Sequence, residues 1–139
     1  MLLDVVLTLG ILALVVLLAV PRPRASVGPV ELRAEAAQIA ATFRKARAEA
    51  VRLQSQTDVV YDEAAGDIRY GGQSVHAIRP GIGVDWATSS LCPFMSGGRA
   101  LRFLADGRSC GAVMTLSAAG KSMRLRVDWL TGRVEISDP

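Results

Sequence analysis

The first apolar segment of the chain runs from Leu2 to Val20, and every residue in it except Asp4 and Thr8 is apolar or small. As a helix this run of about 19 residues measures roughly 28 Å, which is enough to cross the hydrocarbon core of a bilayer. Pro21 ends it, because proline removes a backbone donor. The pattern predicts a transmembrane helix over 1–21. No basic residue precedes the apolar run and the sequence after it is a poor cleavage site, so we expect a retained anchor and not a signal peptide.

A second helix, amphipathic, is predicted from Val30 to Gln56 by apolar residues that recur at helical spacing. The stripe consists of Leu32, Ala36, Ile39, Phe43, Ala46, Ala50 and Leu53. The charged residues, Glu35 among them, are predicted to lie off this stripe. A narrow alanine-rich stripe fits a coiled coil or packing on a sheet of the same chain, and the β-rich remainder favours the sheet. Prolines and glycines before the helix make 22–56 a unit of hinge plus amphipathic helix.

From residue 57 to 139 the apolar period changes to two, which predicts a β domain of about seven short strands. The clearest strand is 122–130, where Met123, Leu125, Val127 and Trp129 are predicted to face the core. Thr131-Gly132 is predicted as a two-residue hairpin turn after it. Residues 87–99 have turn composition and no period, and are predicted to be an irregular loop. The fold class is therefore α+β, with a long N-terminal helix on an antiparallel β-sheet.

The net charge of +3 is unevenly distributed. Residues 22–56 carry seven basic and three acidic side chains, whereas residues 57–139 carry nine of each. A neutral β domain argues against nucleic acid as a partner. Four basic residues in this domain are candidate phosphate contacts, although Asp128 lies in the same row and a solvated polar face is the favoured interpretation: Lys121, Arg124, Arg126 and Arg133.

The residues that could support chemistry are few. Cys92 and Cys110 form one disulfide in an oxidising compartment, or else are two unrelated thiols. With the lone His76 they make no zinc pattern. No phosphate loop or nucleophile motif is present in the sequence. We therefore predict a protein that is not an enzyme and that uses no metal and no cofactor.

Asp4 is the one charge in the apolar run. A carboxylate within a membrane segment is a functional candidate by default. The alternative is that Asp4 sits at the interface, as a helix N-terminal charge that is favourable to the helix dipole. The residues alone leave both interpretations open.

Three stretches resemble one family. The apolar run with Asp4 and Pro21 is similar to the N-terminal helix of type IV pilins and type II secretion pseudopilins, in which a proline follows a glutamate by the same interval. Two segments near the C-terminus resemble the H-type minor pseudopilins of the general secretion pathway. They read Ala-Leu-Arg-Phe-Leu-Ala-Asp-Gly-Arg-Ser over 100–109 and Val-Asp-Trp-Leu-Thr-Gly-Arg-Val over 127–134.

The resemblance implies a structural subunit of the type II secretion pseudopilus. Such a subunit is a single-pass protein of the bacterial inner membrane with its C-terminal domain in the periplasm. Its partners are other pseudopilins, met through the N-terminal helix, where the carboxylate corresponding to Asp4 pairs with the terminal amine of a neighbour. Prepilin peptidase is a further partner where the true N-terminus carries a leader, and methylation would accompany its processing.

Three departures from the family pattern matter. No basic leader precedes Leu2, so we expect a start placed too late, a trimmed chain or an unprocessed protein. Asp4 replaces the usual glutamate, and Arg22 and Arg24 oppose the expected orientation. Two alternatives follow: a minor pilin of a type IV pilus, including the kind that takes up DNA, or a membrane-anchored periplasmic domain that never assembles.

Overall fold

The computed structural model describes residues 1–19 and 27–138 of the chain. Two helices come first, α1 (Leu2–Ala19) and α2 (Pro29–Leu53). Nine strands follow in the described part: β1 (Thr57–Asp62), β2 (Asp67–Tyr70), β3 (Gln73–Ala77), β4 (Gly83–Thr88), β5 (Phe94–Met95), β6 (Gly98–Phe103), β7 (Ala112–Ala118), β8 (Lys121–Val127) and β9 (Val134–Ser137). The predicted order of helix, helix and β domain is the order observed, but the strands exceed the predicted number of about seven.

The strands form two antiparallel sheets and not one. The first has the order β3-β2-β1-β6-β5 and the second the order β4-β7-β8-β9. Helix α2 contacts strands of both sheets, so one helix covers the junction between them. Trp86 of β4 strengthens this junction, since its ring lies 6.0 Å from the Phe43 ring of α2 and its Nε1 donates to the Arg99 carbonyl of β6 at 3.1 Å.

Helix α2 buries the face that its apolar spacing predicts, with two exceptions. Six of the seven predicted stripe residues are buried, but Leu53 is 52% exposed. The helix ends at this residue, and the next one, Gln54, adopts a left-handed conformation with φ of 49°. The predicted end at Gln56 was therefore wrong, because the chain turns towards β1 before Leu53 can reach the sheet. Glu35, predicted to lie off the stripe, is buried with only 3% of its surface exposed.

The hairpin after β8 also differs from its prediction. Strand β8 ends at Val127, and Asp128 N–H donates to the Arg133 carbonyl at 2.9 Å. This bond closes a turn of four residues, 129–132, between its two partners. The two-residue turn at Thr131-Gly132 was therefore wrong. Met123, Leu125 and Val127 face the core as predicted, but Trp129 lies in the loop and is 60% exposed. In addition, β5 falls within the predicted irregular loop 87–99 and pairs with β6.

Candidate functional site

Helix α1 has large apolar side chains that are exposed from Leu2 as far as Val15. Leu2, Leu3, Val6 and Leu12 are among those that are more than half exposed. Asp4 is also exposed, and its carboxylate lies 3.7 Å from the amino group of Met1. Within residues 1–19 and 27–138, no helix combines the length and the apolarity that crossing a membrane requires. The predicted helix break at Pro21 lies outside the described residues.

Two loops that carry the C-terminal sequence motifs meet each other in space. One is residues 104–111 between β6 and β7, and the other is residues 128–133 between β8 and β9. Ser109, which is buried, links them: its N–H donates to the Trp129 carbonyl at 3.0 Å and its hydroxyl to the Asp128 carbonyl at 2.9 Å. The two motifs, 18 or more residues apart in sequence, therefore build one structural unit.

Arg47 of α2 fastens the helix to this unit. Its Nε donates to the Gly107 carbonyl at 2.9 Å. Gly132, with φ of +64°, lies so close that an added Cβ would be 2.8 Å from the same Nε. We refer to Arg47, Gly107 and Gly132 as the motif junction. Sequence reasoning missed the role of Arg47, which a stripe analysis assigns to the solvent-facing side of the helix.

The side chain of Asp128 shapes the second loop. One carboxylate oxygen accepts hydrogen bonds from Leu130 N–H at 3.0 Å, Thr131 N–H at 2.8 Å and the Thr131 hydroxyl at 3.0 Å. These bonds end strand β8 and hold the loop in a fixed conformation. As a result Trp129 and Leu130 point outward, beside Arg44 of α2.

A short carboxylate–imidazole contact links α2 to β3. His76 Nε2 lies 2.6 Å from Glu35 Oε1, and Arg79 N–H donates to the same oxygen at 3.3 Å. The sequence offered a weak signal for this pair, since Glu35 directly precedes Ala36 in the buried stripe and the chain has one histidine. A carboxylate beside an imidazole is compatible with proton transfer. Here, however, the two groups bond to each other, and the carboxylate also accepts a hydrogen bond from the Arg79 backbone N–H.

Cys92 and Cys110 are joined by a disulfide in the structure, with their Cα atoms 5.2 Å apart. The bond ties the loop before β5 to the loop that precedes β7. Among the described residues, no group of three or more histidine, cysteine, aspartate or glutamate side chains is arranged to hold a metal ion.

Comparison with protein-family models gives a match to the type II transport protein GspH over residues 35–132. The chain belongs to the GspH family. The match covers helix α2 from Glu35 onward, strands β1 to β8, the loop 104–111 and the loop 128–133 as far as Gly132, so the recognition made from the sequence motifs is confirmed. No curated protein matches the chain.

Solved structures place this GspH family member in the pilin fold. The minor pseudopilin EpsH from the type 2 secretion system of Vibrio cholerae has a TM-score of 0.61 at 14% identity, covering 78% of this chain and 98% of that one. The type IV minor pilin FimU of Pseudomonas aeruginosa has a TM-score of 0.57 at 16% identity, covering 80% of this chain and 91% of that one. The predicted pilin-like α+β fold is confirmed. Family and fold are those of structural pilin and pseudopilin proteins.

The four basic residues considered as nucleic-acid contacts do not form one group. Arg126 and Arg133 line the same groove beside the motif junction, whereas Lys121 lines a different one near the start of α2. Arg124 is exposed on β8 and lines neither of these grooves. The structure therefore does not bring the four predicted residues together at one site.

We expect the motif loops of this GspH family member to lose stability in acid. The pKa of Asp106 is lowered chiefly by the Arg108 backbone N–H, and that of Asp128 chiefly by the Thr131 backbone N–H. A carboxyl group whose pKa is lower in the folded than in the unfolded protein stabilises the fold at pH values above its unfolded pKa. This contribution is lost as the pH falls through the pKa of the folded state. The free energy of unfolding should therefore decrease below about pH 4.

Urea denaturation of the full chain in mild detergent, at pH values from about 6 to about 2.5, measures this loss. Asp128→Asn removes one titrating group and keeps an acceptor oxygen, so its stability should depend less on pH than that of the wild type. Parallel pH curves for the two proteins would show that Asp128 contributes nothing to the acid sensitivity.

Proposed function

We propose that the chain is a minor pseudopilin that assembles into the type II secretion pseudopilus through helix α1 and so supports protein export across the outer membrane. Membership of the GspH family is the observation that carries this proposal. The pilin fold supports it, and so does the row of exposed apolar side chains on α1, which is typical of a segment that is covered by lipid or by other helices.

The apolar run Leu2–Val20 is proposed to hold the protein in the bacterial inner membrane as a single-pass anchor, with residues 57–139 in the periplasm. The disulfide between Cys92 and Cys110 supports the placement of that domain, because disulfides persist in oxidising compartments such as the periplasm. Processing by prepilin peptidase, with methylation, belongs to the same proposal where the natural chain carries a leader.

Asp4 is proposed to pair with the terminal amine of a neighbouring pseudopilin. Its carboxylate is exposed, and among the described residues its one charged neighbour is the amino group of Met1, 3.7 Å away. In an apolar assembly an unpaired carboxylate is costly, and an amine from a neighbour would remove that cost. The pair would thus form only when the subunit is correctly assembled.

We expect Asp4→Ala to insert at wild-type levels and to lose at least about tenfold of its crosslinking to other pseudopilins, because the partner's amine is left unpaired. Crosslinking in native membranes followed by mass spectrometry measures the partners. Asp4→Glu, which restores the carboxylate at the length usual in the family, should retain assembly. Thr8→Ala is the matched control, since it removes the other polar side chain of the same helix without removing a charge.

If Asp4→Ala crosslinks to other pseudopilins at the wild-type level, the assembly role of Asp4 is excluded. Recovery of pilus subunits by the wild-type protein would instead favour the alternative, a minor pilin of a type IV pilus. That alternative is compatible with the similarity to FimU, which concerns the fold alone. Recovery of neither set, from protein that is intact and inserted, would favour an anchored domain that does not assemble.

A further inference from the structure

An open groove of about 820 Å³ lies beside the motif junction. Helix α2 forms one wall, strand β8 and the start of β9 form the other, and the loop 128–133 closes one end. We call it the arginine groove and define it by Arg44, Arg126, Trp129, Leu130 and Arg133. Neither the assembly helix nor Asp4 contributes to it, so the proposed function does not account for it.

The charge of the arginine groove is positive. Four arginine side chains line it, namely Arg44, Arg47, Arg126 and Arg133, against the two carboxylates of Asp128 and Glu135. One oxygen of the Asp128 carboxylate is occupied by three hydrogen bonds within its own loop. Arg44 donates one bond to the Val134 carbonyl at 3.2 Å, and Arg47 donates one to the Gly107 carbonyl. Glu135 lies 4.0 Å from Arg133 at an exposed position, where an ion pair is weak and easily exchanged. The remaining N–H groups of these guanidiniums, chiefly those of Arg126 and Arg133, can therefore pair with an incoming carboxylate.

Apolar surface is exposed within the same groove. Trp129 is 60% exposed and Leu130 is 53% exposed, although hydrogen bonds from Asp128 and Ser109 hold the backbone of their loop. An exposed tryptophan beside arginines has the composition of a binding hot spot, because these two residue types are enriched among the residues that dominate protein interfaces. A loop backbone that is already held by hydrogen bonds also has less ordering entropy to lose on binding.

We propose that the arginine groove binds an acidic segment of another protein, with an apolar side chain of the segment on Trp129 and Leu130 and flanking carboxylates on Arg44, Arg126 and Arg133. Arginine is suited to this role because its planar guanidinium pairs with a carboxylate through two hydrogen bonds. Nucleic acid fits less well. A phosphate backbone would pair with the arginines but would gain nothing from the exposed apolar side chain of Leu130.

A random dodecamer peptide library, selected on the immobilised full chain in mild detergent, tests the chemistry of the occupant. We expect the selected peptides to be rich in aspartate and glutamate around one or two large apolar residues. Fluorescein-labelled copies of these peptides should then bind the full chain in an anisotropy titration. Trp129→Ala and Arg133→Glu should each raise the Kd about tenfold or more, which is the effect expected of hot-spot residues.

Two matched controls lie outside the groove. Arg124→Glu changes an exposed arginine on the same strand as Arg126, and Phe94→Ala removes an aromatic side chain that is 74% exposed on β5. Both should leave the Kd within about twofold of the wild type. Equal thermal midpoints for all four variants would show that they are folded.

Three results would overturn the proposal. The first is a selected consensus that is neutral or basic. The second is peptide binding that Trp129→Ala and Arg133→Glu leave unchanged, which would place the peptides on helix α1 or elsewhere. The third is binding of a fluorescein-labelled DNA duplex that these two variants abolish while acidic peptides fail to compete. Each of these results is independent of the Asp4 crosslinking experiment, so failure of one proposal is distinguishable from failure of the other.

Discussion

Gly132→Ala is expected to lower the free energy of unfolding by about 4 kcal/mol or more, and to leave much of the protein unfolded at physiological temperature. The added Cβ would overlap the Gly107 carbonyl oxygen, and that oxygen already accepts the Arg47 Nε–H. Relieving the overlap would separate the two motif loops and break the bond from α2. Backbone strain adds to this cost, because Gly132 has φ of +64°.

Gly66→Ala separates the strain from the overlap. Gly66 has φ of +66°, almost the same as Gly132, but no atom lies within 4 Å of the position that its Cβ would take. This variant should lose only about 1–2 kcal/mol, the ordinary cost of placing alanine in a left-handed conformation. Urea denaturation of both variants, as full chains in mild detergent, gives the comparison. Similar losses for the two would mean that the motif junction relaxes freely and does not restrain the fold.

Glu35→Ala is expected to lower the free energy of unfolding by about 1–3 kcal/mol, the cost of leaving polar groups without their partner. The substitution leaves His76 Nε2 and the Arg79 N–H without their carboxylate partner in a partly buried site. It also removes the one described carboxylate–imidazole contact between α2 and the first sheet. The same denaturation measurement checks this loss, and loss of the His76–Glu35 link should also speed amide exchange in β3, since an edge strand relies on few contacts.

Glu49→Ala is the matched control for this variant. Glu49 lies on the same helix and pairs with Arg52 at 2.6 Å, but that pair is exposed and local. The change of residue type is identical, so any gain in helix propensity is the same, and the loss should be about 0.5 kcal/mol or less. A double-mutant cycle with His76→Ala then isolates the buried pair. Coupling close to zero in that cycle would mean that Glu35 and His76 stabilise the protein separately.

Periodicity predicted most of the elements of this fold because it reports burial. The heptad-like spacing from Leu32 to Ala50 placed the buried face of α2, and alternation from Met123 to Val127 placed the buried face of β8. The method failed where the pattern continued past the end of an element. Leu53 and Trp129 both keep the apolar spacing, yet a left-handed residue and an aspartate turn stop the helix and the strand before either side chain reaches the core.

The sequence predicted only part of the candidate site. The motifs around Gly107 and Gly132 led to the family. The residues alone left two interpretations of Asp4 open, and its proposed role in assembly rests on the resemblance. The contact between the two motif loops, the role of Arg47 and the partnership of Glu35 with His76 were not predicted, since each joins residues that no local pattern connects.

Hydrophobic period and turn residues were enough to predict the two helices and most of the strands, because these signals act over a few neighbouring positions. The family was recognised separately, from the resemblance of the motifs over 100–109 and 127–134. Which residues share a surface depended instead on tertiary packing, which divided the strands into two sheets, buried Glu35 against His76, and set Arg44, Arg126 and Arg133 around an exposed Trp129. The physical reason is that these contacts depend on how α2 crosses both sheets. That crossing is set by the packing of the whole core, to which every buried side chain contributes.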